Sequence, residues 1–196
     1  MVAPPAPSGP VTLELFQHND AVVPSGTFVT SSWSPGANHL LLCCVGIRGS
    51  STPAAHVTGV SGNGLTWTKF LERDDTQNAV SFQLWWAKGA SPTAGAVTLS
   101  LGTLTTNLGV QLLSFSNVAA SPIGNTASND TGATDTTPAT TSLVTSAANS
   151  KAVAFITNRN NILSIPGGSI FTAVLVNQVI DSGGNVGRRS SYISSE

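Results

Sequence analysis

Short apolar runs recur along the whole chain, each bounded by Gly, Pro, Asn or Ser, and the three-to-four-residue spacing of an amphipathic helix is almost absent. The pattern predicts strands over 11–17, 26–33, 39–48, 56–61, 65–74, 79–88, 96–101, 108–118, 141–145, 151–158, 169–174, 177–181 and 186–193. Between Val60 and Trp67 the sequence Gly62-Asn63-Gly64 supplies the positive φ values that a tight hairpin turn needs. Within 81–87, Phe82, Leu84 and Trp86 share one face of a strand, and Ser81, Gln83, Trp85 and Ala87 share the other. The stretch 125–141 is polar throughout and reads as a long loop or crossover. The runs after it are too few to build a core of their own, so they are expected to pair with those before it. The expected fold is all-β: one antiparallel β-sandwich of jelly-roll or immunoglobulin-like type over 11–196, preceded by an extended Pro-rich arm over 1–10 that contains Pro4, Pro5 and Pro7.

Composition narrows the function classes. Apolar residues at 40% suffice for a core, while charged residues at 9% fall far below the usual ~25%. Eight basic residues against nine acidic ones give a net charge of −1, too thin a positive footprint for a nucleic-acid binder. No apolar run approaches the roughly 20 residues of a membrane-spanning helix. The first ten residues have neither the basic nor the apolar region of a secretory signal, yet the Thr-, Ser-, Asn- and Gly-rich remainder resembles extracellular β-proteins. Synthesis in the cytosol with release by lysis reconciles the two, as does a mature chain whose signal has been removed.

The candidate chemistry is sparse. Cys43 and Cys44 are adjacent on a predicted strand, so they point to opposite faces, a disulfide between them would be strained, and both read as reduced apolar residues. No Gly-x-Ser-x-Gly elbow surrounds any serine, and His18, His39 and His56 read as surface residues at turns or strand ends. Glu72 and Asp74 share a strand face with Lys69 and Arg73 close by, which predicts an exposed ion-pair cluster rather than paired catalytic carboxylates. Asp74, Asp75, Asn125, Asn129, Asp130 and Asp135 offer oxygen ligands for Ca²⁺ but lack any repeat spacing, so a solvated polar surface is the simpler reading. Neither a cofactor nor a metal is expected. Of the four tryptophans, Trp33, Trp67, Trp85 and Trp86, most are expected to plug the core; Trp85 and Trp86 face opposite ways, so one of them is the candidate contact residue for a sugar ring or a partner.

An ordered string of motifs resembles a known group. Ala37-Asn38-His39-Leu40-Leu41-Leu42 through Gly46, then Val57 to Thr68, then Leu84-Trp85-Trp86-Ala87, then Leu112 to Val118, with Pro122-Ile123-Gly124 and Ala147-Ala148-Asn149-Ser150 following, are similar to phage and prophage β-sandwich proteins encoded among virion structural genes. The resemblance spans about residues 37–157 and implies a particle component with no catalytic residues to carry over. Chains of this type continue through a further apolar strand beyond a segment like 188–193, whereas this one stops at Glu196, so either the chain is cut short or a neighbouring subunit covers an open edge. The leading expectation is a non-enzymatic virion protein on the capsid or tail exterior, assembling through its arm and sheet edges with other virion proteins and copies of itself, without nucleic acid or membrane. The alternative is a carbohydrate-binding adhesin module of a tail fibre or bacterial surface protein that stacks Trp85 or Trp86 on a cell-surface glycan. A third reading is a Ca²⁺-stabilised surface-layer or matrix protein.

Overall fold

The computed structural model describes residues 9–22, 26–49, 56–75, 80–102, 105–128, 144, 150–153, 155–157 and 188–189. The strands are β1 (Thr12–Val22), β2 (Gly26–Val29), β3 (Leu40–Gly49), β4 (Val57–Gly62), β5 (Leu65–Thr66), β6 (Thr68–Asp75), β7 (Val80–Lys88), β8 (Val97–Leu101), β9 (Thr105–Ser116), β10 (Ile156–Thr157) and β11 (Arg188–Arg189). One sheet runs β1-β9-β3-β7-β6 and faces a second that runs β2-β8-β4-β5; every pairing is antiparallel, and β10 and β11 form a separate two-stranded ladder. This is an all-β antiparallel sandwich, as the pattern of short apolar runs predicts.

The core follows from strand parity. Leu41, Cys43, Val45 and Ile47 of β3, Trp85 and Ala87 of β7, and Leu108, Val110 and Leu112 of β9 meet Val57 of β4 and Val97, Leu99 and Leu101 of β8 between the sheets. The alternate residues Leu40, Leu42, Cys44, Leu84, Leu113 and Phe115 are also buried, on the opposite face of the five-stranded sheet. That sheet is apolar on both sides, which is why β3 reads as a continuous apolar run rather than an alternating one. Its outer face is covered by chain without regular structure: Val11, Val118, Ile123, Val153 and Phe155 pack there, with the Phe155 ring 6.0 Å from that of Phe82. Cys43 and Cys44 are free, buried and on opposite faces, as expected.

The hairpin forms where the sequence predicts it. Asn63 (φ 56°) and Gly64 (φ 66°) make a two-residue loop with both central residues left-handed, joining Gly62 to Leu65. The predicted single strand over 65–74 is instead two strands in different sheets, because the chain crosses at Trp67, whose buried indole Nε1 donates to the Gly62 carbonyl at 3.2 Å. Near the opposite flank, Asn19 of β1 accepts from the Ser31 backbone N at 2.9 Å, tying the edge of one sheet to the chain leaving the edge of the other. The expected strands over 169–174 and 177–181, most of the one over 141–145, most of the polar loop and Pro4, Pro5 and Pro7 of the arm lie outside the described residues.

Candidate functional site

Among the described residues, the densest group of ionisable side chains lies where the sheets meet along β6. A register shift between Lys69 and Leu71 inserts one extra residue in β6 against β7. Without it Lys69 and Glu72, three apart, would face opposite sides of the strand; the bulge brings both to the inter-sheet side, while Phe70 and Leu71 pack on the outer one. Glu72 then stands opposite Gln83 and Asp74 opposite Ser81 across the β6–β7 pair. From the other sheet, His56 enters immediately before β4, its carbonyl accepting from the Gly102 N at 2.7 Å.

The three groups converge on the imidazole. His56 Nδ1 lies 2.9 Å from Glu72 Oε1, and Nε2 lies 3.1 Å from Asp74 Oδ1. Nε2 is shielded from solvent and makes no well-aligned hydrogen bond, although the three side chains are each about a quarter exposed (27%, 26% and 29%). Both carboxylates are held by further donors. Gln83 Nε2 donates to Glu72 Oε1 at 3.0 Å, Ser81 Oγ donates to Asp74 Oδ1 at 2.7 Å, and the Lys69 ammonium pairs with the second Glu72 oxygen. Gln83 is fully buried, and its own oxygen accepts from Trp85 Nε1 at 3.3 Å. Burial alone would push the Glu72 carboxyl up; the Lys69 and Gln83 hydrogen bonds, with the charges of Lys69 and His56, outweigh it and hold the group below its ordinary value of 4.5.

The structure therefore moves the predicted Glu72–Asp74 cluster from an exposed strand face into the seam between the sheets, and adds His56 and Gln83 to it. His56 is expected from sequence as a lone surface histidine; its partners sit 16 and 18 positions away in another sheet, a distance that no local pattern reveals. His39 is half-buried rather than on the surface, its Nδ1 2.8 Å from the Oγ of the fully buried Ser114, where the pair ties the start of β3 to β9. Trp85 is buried between the sheets with Lys69 Nζ 5.8 Å from its ring centroid, and Trp86 is half-buried in the outer apolar cluster. The opposite orientations of these two indoles follow the predicted parity, yet both are packed because both faces of β7 are covered. Trp33 and Trp67 are also buried, Trp33 Nε1 donating to the side-chain oxygen of the buried Asn63 at 2.9 Å. Of the Ca²⁺ candidates, Asp74 joins the His56 group, while Asn125 is exposed and donates to the Val144 carbonyl at 2.9 Å. Comparison with protein-family models, with curated proteins and with solved structures finds no match.

Proposed function

We propose that this chain is a non-enzymatic structural component of a phage virion, a decoration or accessory protein on the capsid or tail exterior that assembles through its N-terminal arm and sheet edges. The observation that carries the reading is the flank where β1 and β2 form the edges of their two sheets. β1 is long, pairs with β9 along one side, and among the described residues has no strand on the other. Leu15 on β1 and Val29 on β2 are exposed there, at 37% and 57%. An edge of this length presents a row of backbone donors and acceptors that a second chain satisfies by adding a strand.

The arm leads directly into this edge. Its last residue, Pro10, is fixed at the start of β1, its carbonyl accepting from Asn117 Nδ2 at 3.2 Å and from Thr12 Oγ1 at 3.2 Å. Pro-rich sequence such as that before this anchor favours extended chain in general, a form suited to lying along a neighbouring subunit. The motif string over 37–157 and the low charge, which lets subunits crowd in a lattice without self-repulsion, support the same reading.

The native mass of the full chain, compared with that of a chain lacking residues 1–8, tests it. Removing those residues leaves the Pro10 anchor in place. The expected result is an oligomer for the full chain and a shift to smaller species for the shortened one. A full chain that stays monomeric at high concentration overturns assembly through the arm and edge.

A further inference from the structure

We propose that His56, Glu72 and Asp74 form a binding site for a divalent transition-metal ion of the zinc class, which clips the two sheets together at the β6 edge. Each residue offers one ligand atom, and the three lie within 4.8 Å of one another, drawn from both sheets. One ring nitrogen binds the ion: His56 Nε2 lies 3.1 Å from Asp74, close to the ~3.3 Å that separates neighbouring ligand atoms in a tetrahedral zinc site, and Glu72, now beside Nδ1, swings across to complete the set.

The chemistry of the group asks for a cation. A proton on the imidazole supplies positive charge between the two carboxylates, and a metal ion bound at a ring nitrogen takes its place by displacing it. Such an ion takes one bond from the ring nitrogen and one from each carboxylate. His56 Nε2, shielded from solvent, 3.1 Å from Asp74 and without a well-aligned hydrogen bond, is the atom placed to take it.

The surroundings are those of an oriented ligand set. Ser81 holds Asp74, Gln83 holds Glu72, and Trp85 holds Gln83, the kind of outer hydrogen bonding that fixes ligating carboxylates. One nitrogen and two carboxylate ligands, with the side chains a quarter exposed, leave room for water in a fourth position. A nitrogen ligand and so few oxygens favour zinc-class ions over Ca²⁺, which takes six to eight oxygens. Lys69 opposes the ion by pairing with Glu72; it is the most exposed member at 37%, and its flexible stem lets the ammonium swing outward.

The test is calorimetric titration of Zn²⁺ into the EDTA-treated full chain, with thermal unfolding followed with and without the metal. The expected result is one ion per chain and a rise in melting temperature that EDTA reverses and Ca²⁺ does not reproduce. Asp74→Asn is expected to weaken affinity at least tenfold, as is His56→Ala, while Lys69→Gln binds more tightly. Asp74→Asn keeps an oxygen for the Ser81 hydroxyl, so it keeps the test decisive if His56→Ala fails to fold. Co²⁺ is expected to give the visible absorption of a tetrahedral nitrogen–oxygen site, lost in Asp74→Asn. Absence of a metal-dependent melting shift, equal affinity in Asp74→Asn, or stabilisation by Ca²⁺ alone would overturn the assignment.

Discussion

Single side chains decide how the seam between the sheets holds. Gln83 is fully buried and serves Glu72 and Trp85 at once, so replacing it with Ala strands an indole N–H and removes a donor from a carboxylate. Gln83→Ala is expected to cost about 2 kcal/mol in urea-induced unfolding, with the slope unchanged. Glu72 adds a pH dependence. Its carboxyl titrates lower in the folded chain than the ordinary 4.5, so the stability it contributes is fully present above that value and is lost as pH falls through the lower folded one. Glu72→Gln is expected to flatten the fall of melting temperature with acid below about pH 4.5, while a slope identical to that of the unaltered chain would show that Glu72 carries none of it. Neither role is visible in the sequence. The alternation of 81–87 puts Gln83 on the same face as Trp85, but its burial depends on β6 and the opposite sheet closing over it. Glu72 and Asp74 are legible as one face of a strand; the histidine between them comes from a separate element.

Among the elements, strand positions are legible in the sequence and strand partners are not. The runs over 39–48, 56–61, 79–88 and 96–101 correspond to β3, β4, β7 and β8 within a residue or two, because apolar period-two runs and turn residues are local signals. The crossing at Trp67 and the bulge in β6 are not local signals. Both arise when a strand must leave one sheet and join another, and the indole, not a Gly or Pro, marks the corner. The continuous apolar character of β3 foretells burial on both sides, but not that irregular chain at Val11, Val118, Ile123 and Val153 supplies the outer cover. Gly62 shows how tightly the hairpin is seated. Its φ is +132°, and a Cβ there would lie 2.5 Å from the Ala96 carbonyl oxygen and 3.0 Å from the Val97 Cα. Both neighbours are backbone, so they yield only if β4 and β8 separate. Gly62→Ala is expected to lower stability by about 2 kcal/mol or more, read as a lower denaturation midpoint, whereas Gly26→Ala, with open space around the new methyl, has only its φ of +99° to strain it and loses less.

For the whole molecule, the two flanks of the sandwich differ in kind. At the β6 flank the sheets are closed by His56, Glu72, Asp74, Lys69 and Gln83, a polar clasp that turns inward. At the β1–β2 flank, among the described residues, no strand pairs with the outer edges, and exposed Leu15 and Val29 lie beside the root of the arm. The proposed function uses this asymmetry, with one side closed on itself and the other joining a neighbour. On that proposal stability belongs to the first and assembly to the second, so disrupting Glu72 is expected to change melting without changing native mass, and shortening the arm to do the reverse. The proposed function requires the chain to be part of a particle. The most direct measurement is quantitative mass spectrometry of purified phage particles from lysates of the source organism. Peptides of this chain at a fixed, repeated copy number relative to the major capsid or tail protein are the predicted result. Intact, complete particles that lack the chain would contradict it.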